Sequence, residues 1–162
     1  MSQPETYDIH PKDFYKILWL TPLYTSVAAL VTSVALLFLG EALSEIFIIF
    51  SCAYGLIGYA AGSAVKRCLG ARPIAPGYVL AMAWTLLGIA ICQCMSQLIS
   101  MMFFGEVGFV VSLTSALITT PYTMAMDLMV AVSFEEPIYS VVFFAQPLIA
   151  MAFAWQTLGL ED

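Results

Sequence analysis

The chain contains no asparagine and only one histidine, His10. Without asparagine it has no acceptor for N-linked glycosylation. One histidine outside the apolar segments gives no support for a bis-histidine haem, a two-histidine metal site or Ser-His-Asp catalysis. The four cysteines form no CxxC pair, and the chain has neither a P-loop nor a GxSxG motif. We therefore predict no cofactor, no metal site and no catalytic residues.

Charge is scarce as well. Charged residues make up 10% of the 162 residues and hydrophobic residues 62%, whereas soluble domains carry roughly 25% charged residues. The five basic residues are too few and too dispersed for a nucleic-acid surface. We predict an integral, multi-pass membrane protein whose main partner is the lipid bilayer, and we expect it in the plasma (cytoplasmic) membrane.

Five apolar segments are long enough to cross a bilayer. They cover residues 18–39, 46–65, 77–102, 107–132 and 138–159. This pattern predicts an all-α membrane protein, a bundle of about five transmembrane helices. Residues 1–17 form a polar N-terminal segment with an interfacial helix, residues 18–159 the membrane domain, and residues 160–162 a C-terminal tail. A four-span alternative requires the fourth or fifth segment to be re-entrant at Pro121 or Pro147.

The basic residues predict the orientation. All five lie either before the first span or between the second and third spans. These two segments share one side of the membrane if five spans alternate. Because lysine and arginine concentrate on the cytoplasmic side, we predict that the N-terminus is inside and the C-terminus outside.

Small residues occupy one helical face of the second span. Gly58 and Gly62 form a GxxxG pair, and small residues allow helix backbones to approach closely in lipid. We expect this face to pack within the chain, against the first or third span. A dimer face or a face for a partner subunit is the alternative. The predicted packing residues are Ser51, Gly55, Gly58 and Gly62.

Amides and hydroxyls mark the third, fourth and fifth spans. Gln93 and Gln97 lie four residues apart and so share a face. An amide in hydrocarbon must find a partner, and an acid within a span, such as Asp127, is a functional hypothesis by default. We predict one polar seam that either joins helices by hydrogen bonds or lines a path for substrate or water. Its residues are Gln93, Gln97, Thr119, Thr123, Asp127 and Gln146.

Charged residues in two loops are predicted on the same side of the membrane. Pairing between them would lock the second to fifth spans together, and solvation is the alternative. These residues are Lys66, Arg67, Arg72, Glu135 and Glu136. Residues 135–148, in which paired glutamates precede a phenylalanine pair and a Gln-Pro dipeptide, resemble the carboxylate motif of membrane lycopene cyclases with a different spacing. That resemblance implies Glu135 and Glu136 as acid and base.

Three functions follow from these patterns. The first is a non-catalytic subunit or scaffold of a membrane complex, whose partner is a second copy or another membrane subunit. The second is a small transporter or channel that uses the polar seam, with Asp127 as its ionisable group. The third is a lipid- or isoprenoid-modifying enzyme that uses Glu135 and Glu136.

Overall fold

The protein is an all-α bundle. The structure, a computed structural model, describes residues 9–43, 52–70, 75–105, 107–134 and 137–159. In these ranges five helices follow one another, and we number them in chain order. They are α1 (Pro11–Leu43), α2 (Gly55–Leu69), α3 (Ala75–Phe104), α4 (Phe109–Ser133) and α5 (Pro137–Gly159). This confirms the predicted fold class.

Proline and glycine set several of the helix ends. Helices α1 and α5 begin at Pro11 and Pro137, where a missing N–H costs nothing because the first turn leaves it unpaired anyway. Helix α2 is capped by Gly70, whose φ of 63° is left-handed and whose N–H donates to the carbonyl of Lys66. Glycine adopts this conformation without the steric cost that a Cβ imposes.

Within the described ranges, four helices are long and apolar enough to span a membrane: α3, α4, α5 and residues Pro11–Phe38 of α1. Helices α4 and α5 continue through Pro121 and Pro147, and at 1.5 Å per residue each is more than about 30 Å long. Helix α2 is shorter in the described ranges, with 15 residues. Part of the predicted second span, residues 46–51, lies outside them. Helix α1 shows no break at the predicted boundary after residue 17.

The second helix ends later than expected. It continues to Leu69, so Lys66 and Arg67 lie in its last turn instead of in the predicted loop. Cations are favourable at a helix C-terminus because they face the negative end of the helix dipole. Arg72, Glu135 and Glu136 lie outside the described residues, and so does Ser51.

Helix α3 forms the centre of the bundle. It packs against all four other described helices. The other contacts join α1 to α2, α2 to α5, and α5 to α4. The order around α3 is therefore α1, α2, α5, α4. In the described part of the chain α1 and α4 do not pack against each other, so the surrounding helices form an arc and one side of α3 stays open.

The closest helix contact joins α2 to α5. A Cβ placed on Gly58 would collide with the carbonyl oxygen of Ala150 and lie 2.7 Å from its carbonyl carbon. A Cβ on Gly62 would lie 2.7 Å from the carbonyl oxygen of Ala154, and one on Gly55 would lie 2.9 Å from the ring of Phe153. The small-residue face thus packs within the chain, but against the fifth helix and not against the first or third as expected.

Gly58→Ala tests this contact. We expect the substitution to lower the stability of the bundle by about 1–3 kcal/mol, because the added methyl group must push two backbones apart. Thermal unfolding of the protein in detergent, followed by size-exclusion chromatography, measures the change. Gly108→Ala is the matched control, since a Cβ there meets nothing within 4 Å. Equal melting of the two variants would contradict the assignment.

The orientation of the bundle remains a prediction. With the N-terminus inside and five crossings, alkaline phosphatase fused after residue 162 should be active in a bacterial host, because that enzyme folds only outside the cytoplasm. A green fluorescent protein at the same point should stay dark, and one fused after residue 70 should fluoresce. The reverse pattern would invert the proposed topology.

Candidate functional site

The most developed polar contact lies between α3 and α4, at Gln97. The side-chain oxygen of Gln97 accepts hydrogen bonds from the hydroxyls of Thr119, at 2.8 Å, and Thr120, at 3.0 Å. Its side-chain nitrogen donates to the hydroxyl of Thr123 at 2.9 Å. One amide thereby contacts three side chains on two successive turns of α4. We call these four residues the Gln97 cluster.

The three threonines also bond to their own helix. The hydroxyl of Thr119 donates to the carbonyl of Ser115, and that of Thr120 to the carbonyl of Ala116. Thr123 donates to the carbonyl of Thr120 at 3.0 Å. A hydroxyl has one hydrogen to donate. Thr119 and Thr120 therefore share that hydrogen between the Gln97 oxygen and a carbonyl of their own helix, or alternate between the two. The cluster holds α3 and α4 together.

Three other predicted seam residues stand apart from this cluster. Gln93, Asp127 and Gln146 are half-buried. None of them makes a hydrogen bond with another described residue, so the predicted seam is joined at Gln97 alone. Asp127 follows Thr123 by four residues and therefore shares its face of α4.

A second polar stripe, on α1, has no counterpart in the sequence analysis. Thr21, Thr25 and Thr32 are buried, and the hydroxyl of Thr25 donates to the carbonyl of Thr21 at 2.8 Å. Next to them, the hydroxyl of Ser33 lies 2.8 Å from the carbonyl oxygen of Cys92 on α3 and 2.7 Å from that of Ala29. The spacing of the threonines, which places them on one face, is the signal that predicts this stripe.

Of the predicted loop charges, the described Arg67 contacts a tyrosine. Arg67 donates a hydrogen bond to the hydroxyl of Tyr24 on α1 at 2.5 Å, and its guanidinium carbon lies 5.5 Å from the centre of the Tyr24 ring. The ion pair found among the described side chains joins Lys16 to Asp13 within α1 at 3.3 Å. Pairing with Glu135 or Glu136 stays a prediction, because both lie outside the described ranges.

The arrangement of Cys, His, Asp and Glu side chains offers no metal site in the ranges that the structure describes. Comparisons with protein-family models, with curated proteins and with solved structures found no match. What the protein does must therefore be argued from its own geometry.

Replacing Gln97 tests the role of its cluster. We expect Gln97→Leu to lower stability by about 1–2 kcal/mol, because interhelical hydrogen bonds in membranes contribute modestly and the threonines keep their bonds to their own helix. Thermal unfolding in detergent measures the loss. Gln156→Leu, at an exposed position of α5, is the matched control. If both variants melt alike, the Gln97 amide does not join α3 to α4.

Proposed function

We propose that this small integral membrane protein is a non-catalytic subunit or scaffold of a complex in the plasma membrane, and that its partner packs against α4. The observation that carries the proposal is a mismatch on this helix. Of the four long helices α4 is the least apolar, yet it shares with α5 the smallest buried fraction. In lipid, polar residues face protein and not the acyl chains.

The position of α4 supports the same proposal. Among the described helices it packs against α3 and α5 and no other. The residues it buries are small or hydroxylated: Ser112, Ala116, Thr120 and Ala131. Its large side chains point outward, with Ile118 and Tyr122 each more than half exposed. A helix attached along one narrow stripe leaves a broad surface, which includes Ile118 and Tyr122, for a second protein.

The contacts inside the bundle favour assembly over transport. The Gln97 cluster uses three of the predicted seam residues, Gln97, Thr119 and Thr123, to bond one another. A transport path requires such groups to face a passing solute. The transporter with Asp127 as its ionisable group and the enzyme with Glu135 and Glu136 stay alternative predictions.

Site-specific photocrosslinking tests the proposal. A photoreactive amino acid at Ile118 should crosslink to one protein of defined mass in the native membrane. The same group at Leu30, which is exposed on α1, is the control and should crosslink mainly to lipid. Native mass spectrometry of the gently extracted complex should then show that protein in fixed stoichiometry. Crosslinks from Ile118 to lipid alone would refute the proposal.

A further inference from the structure

A groove runs along the outer surface between α1 and α2. Its volume is about 560 Å³, within the range of roughly 300–1,000 Å³ that small-molecule sites occupy. Ala28 and Ala60 line it where the two helices meet, and their short side chains leave the depression open. The sides are apolar residues that are each more than two-fifths exposed: Leu23, Val27, Val31, Leu56 and Tyr59.

One end of the groove is polar. Ser63, Arg67 and Tyr24 line it there. The two helices run antiparallel, since Ile17 shares a core cluster with Val65, whereas Ala28 and Ala29 share another with Ile57. The polar end therefore lies towards the C-terminus of α2, and the apolar end lies deeper along both helices.

Helix geometry explains how Arg67 and Tyr24 meet. Side chains of a helix lean towards its N-terminus. The Arg67 side chain on α2 therefore leans along the groove towards its apolar end. The Tyr24 side chain on α1 leans the opposite way, towards the polar end. The guanidinium of Arg67 is consequently held at the mouth of the groove by the Tyr24 hydroxyl.

The charge of Arg67 is not neutralised in the part of the chain that the structure describes. It contacts a tyrosine hydroxyl there and no carboxylate. Guanidinium has five N–H donors, and Tyr24 accepts one of these bonds. A cation at the edge of hydrocarbon is costly unless an anion pairs with it. The mouth of the groove is therefore suited to an anion.

The length of the groove suits a lipid acyl chain. From Arg67 to Leu56, α2 rises about 16 Å, close to half of the roughly 30 Å hydrocarbon thickness. Along that length the groove encloses about 560 Å³ between the side chains of the two helices. An extended acyl chain fits such a space.

We propose that this groove binds one anionic phospholipid. The phosphate pairs with the Arg67 guanidinium, whose planar fork matches phosphate oxygens, and Tyr24 holds that guanidinium in place. An acyl chain lies along Val27 and Val31 towards Leu56. The predicted orientation places this end in the cytoplasmic leaflet, where anionic lipids concentrate. This site is independent of the proposed partner on α4.

Native mass spectrometry with defined lipids tests the headgroup contact. The purified chain is mixed in detergent with equal amounts of phosphatidylglycerol and phosphatidylcholine that carry the same acyl chains. The wild type should retain one phosphatidylglycerol with a preference of about fivefold to tenfold, the size expected for one cation at a headgroup. Arg67→Gln should bring the preference close to one. Lys12→Gln, which removes an exposed charge outside the groove, should leave it unchanged.

A second pair of variants tests the acyl chain contact. Ala60→Phe fills the groove and should remove the bound lipid of either headgroup, whereas Ala125→Phe, at an exposed position of α4, should retain it. Equal binding of the two lipids by the wild type, or a preference that survives Arg67→Gln, would overturn the proposal. So would a photocrosslink from Val27 to a polypeptide instead of a lipid.

Discussion

The contact between α2 and α5 is the constraint from which the remaining arrangement follows. Gly58 and Gly62 allow the second helix to approach the backbone of the last one at Ala150 and Ala154. Since lipid offers no hydrophobic drive between helices, such close packing is a main source of association. Once α5 lies against α2, the chain that joins α3 to α5 must pass outside, so α4 is placed at the edge. The open arc around α3 is the consequence.

Several polar side chains in this bundle link neighbouring helices. Gln97 joins α3 to α4, and Ser33 joins α1 to the carbonyl of Cys92 on α3. Each link pairs a group that would be costly in hydrocarbon with one on the next helix. Their positions complement the glycine contact, because they secure the two helices, α1 and α4, that lie at the ends of the arc.

Composition and hydropathy were sufficient to predict the helical membrane fold. A long apolar segment in lipid must pair its backbone N–H and C=O groups internally, and a helix does so. The small-residue face at Gly58 could also be predicted from the sequence. Its partner could not, since any helix can approach a glycine face and sequence spacing carries no information about which one does. The Gln97 amide was predicted as a polar contact on the ground that it needs a partner. The contact of Arg67 with Tyr24 could not be predicted, because it depends on how α1 and α2 are placed along each other. The sequence of neither helix alone determines that placement.

The two proposed interactions use opposite ends of the same arc. The lipid groove lies between α1 and α2, and the surface for a partner lies on α4, two helices further round. A protein on α4 therefore leaves the groove accessible, and a lipid beside Arg67 leaves α4 free.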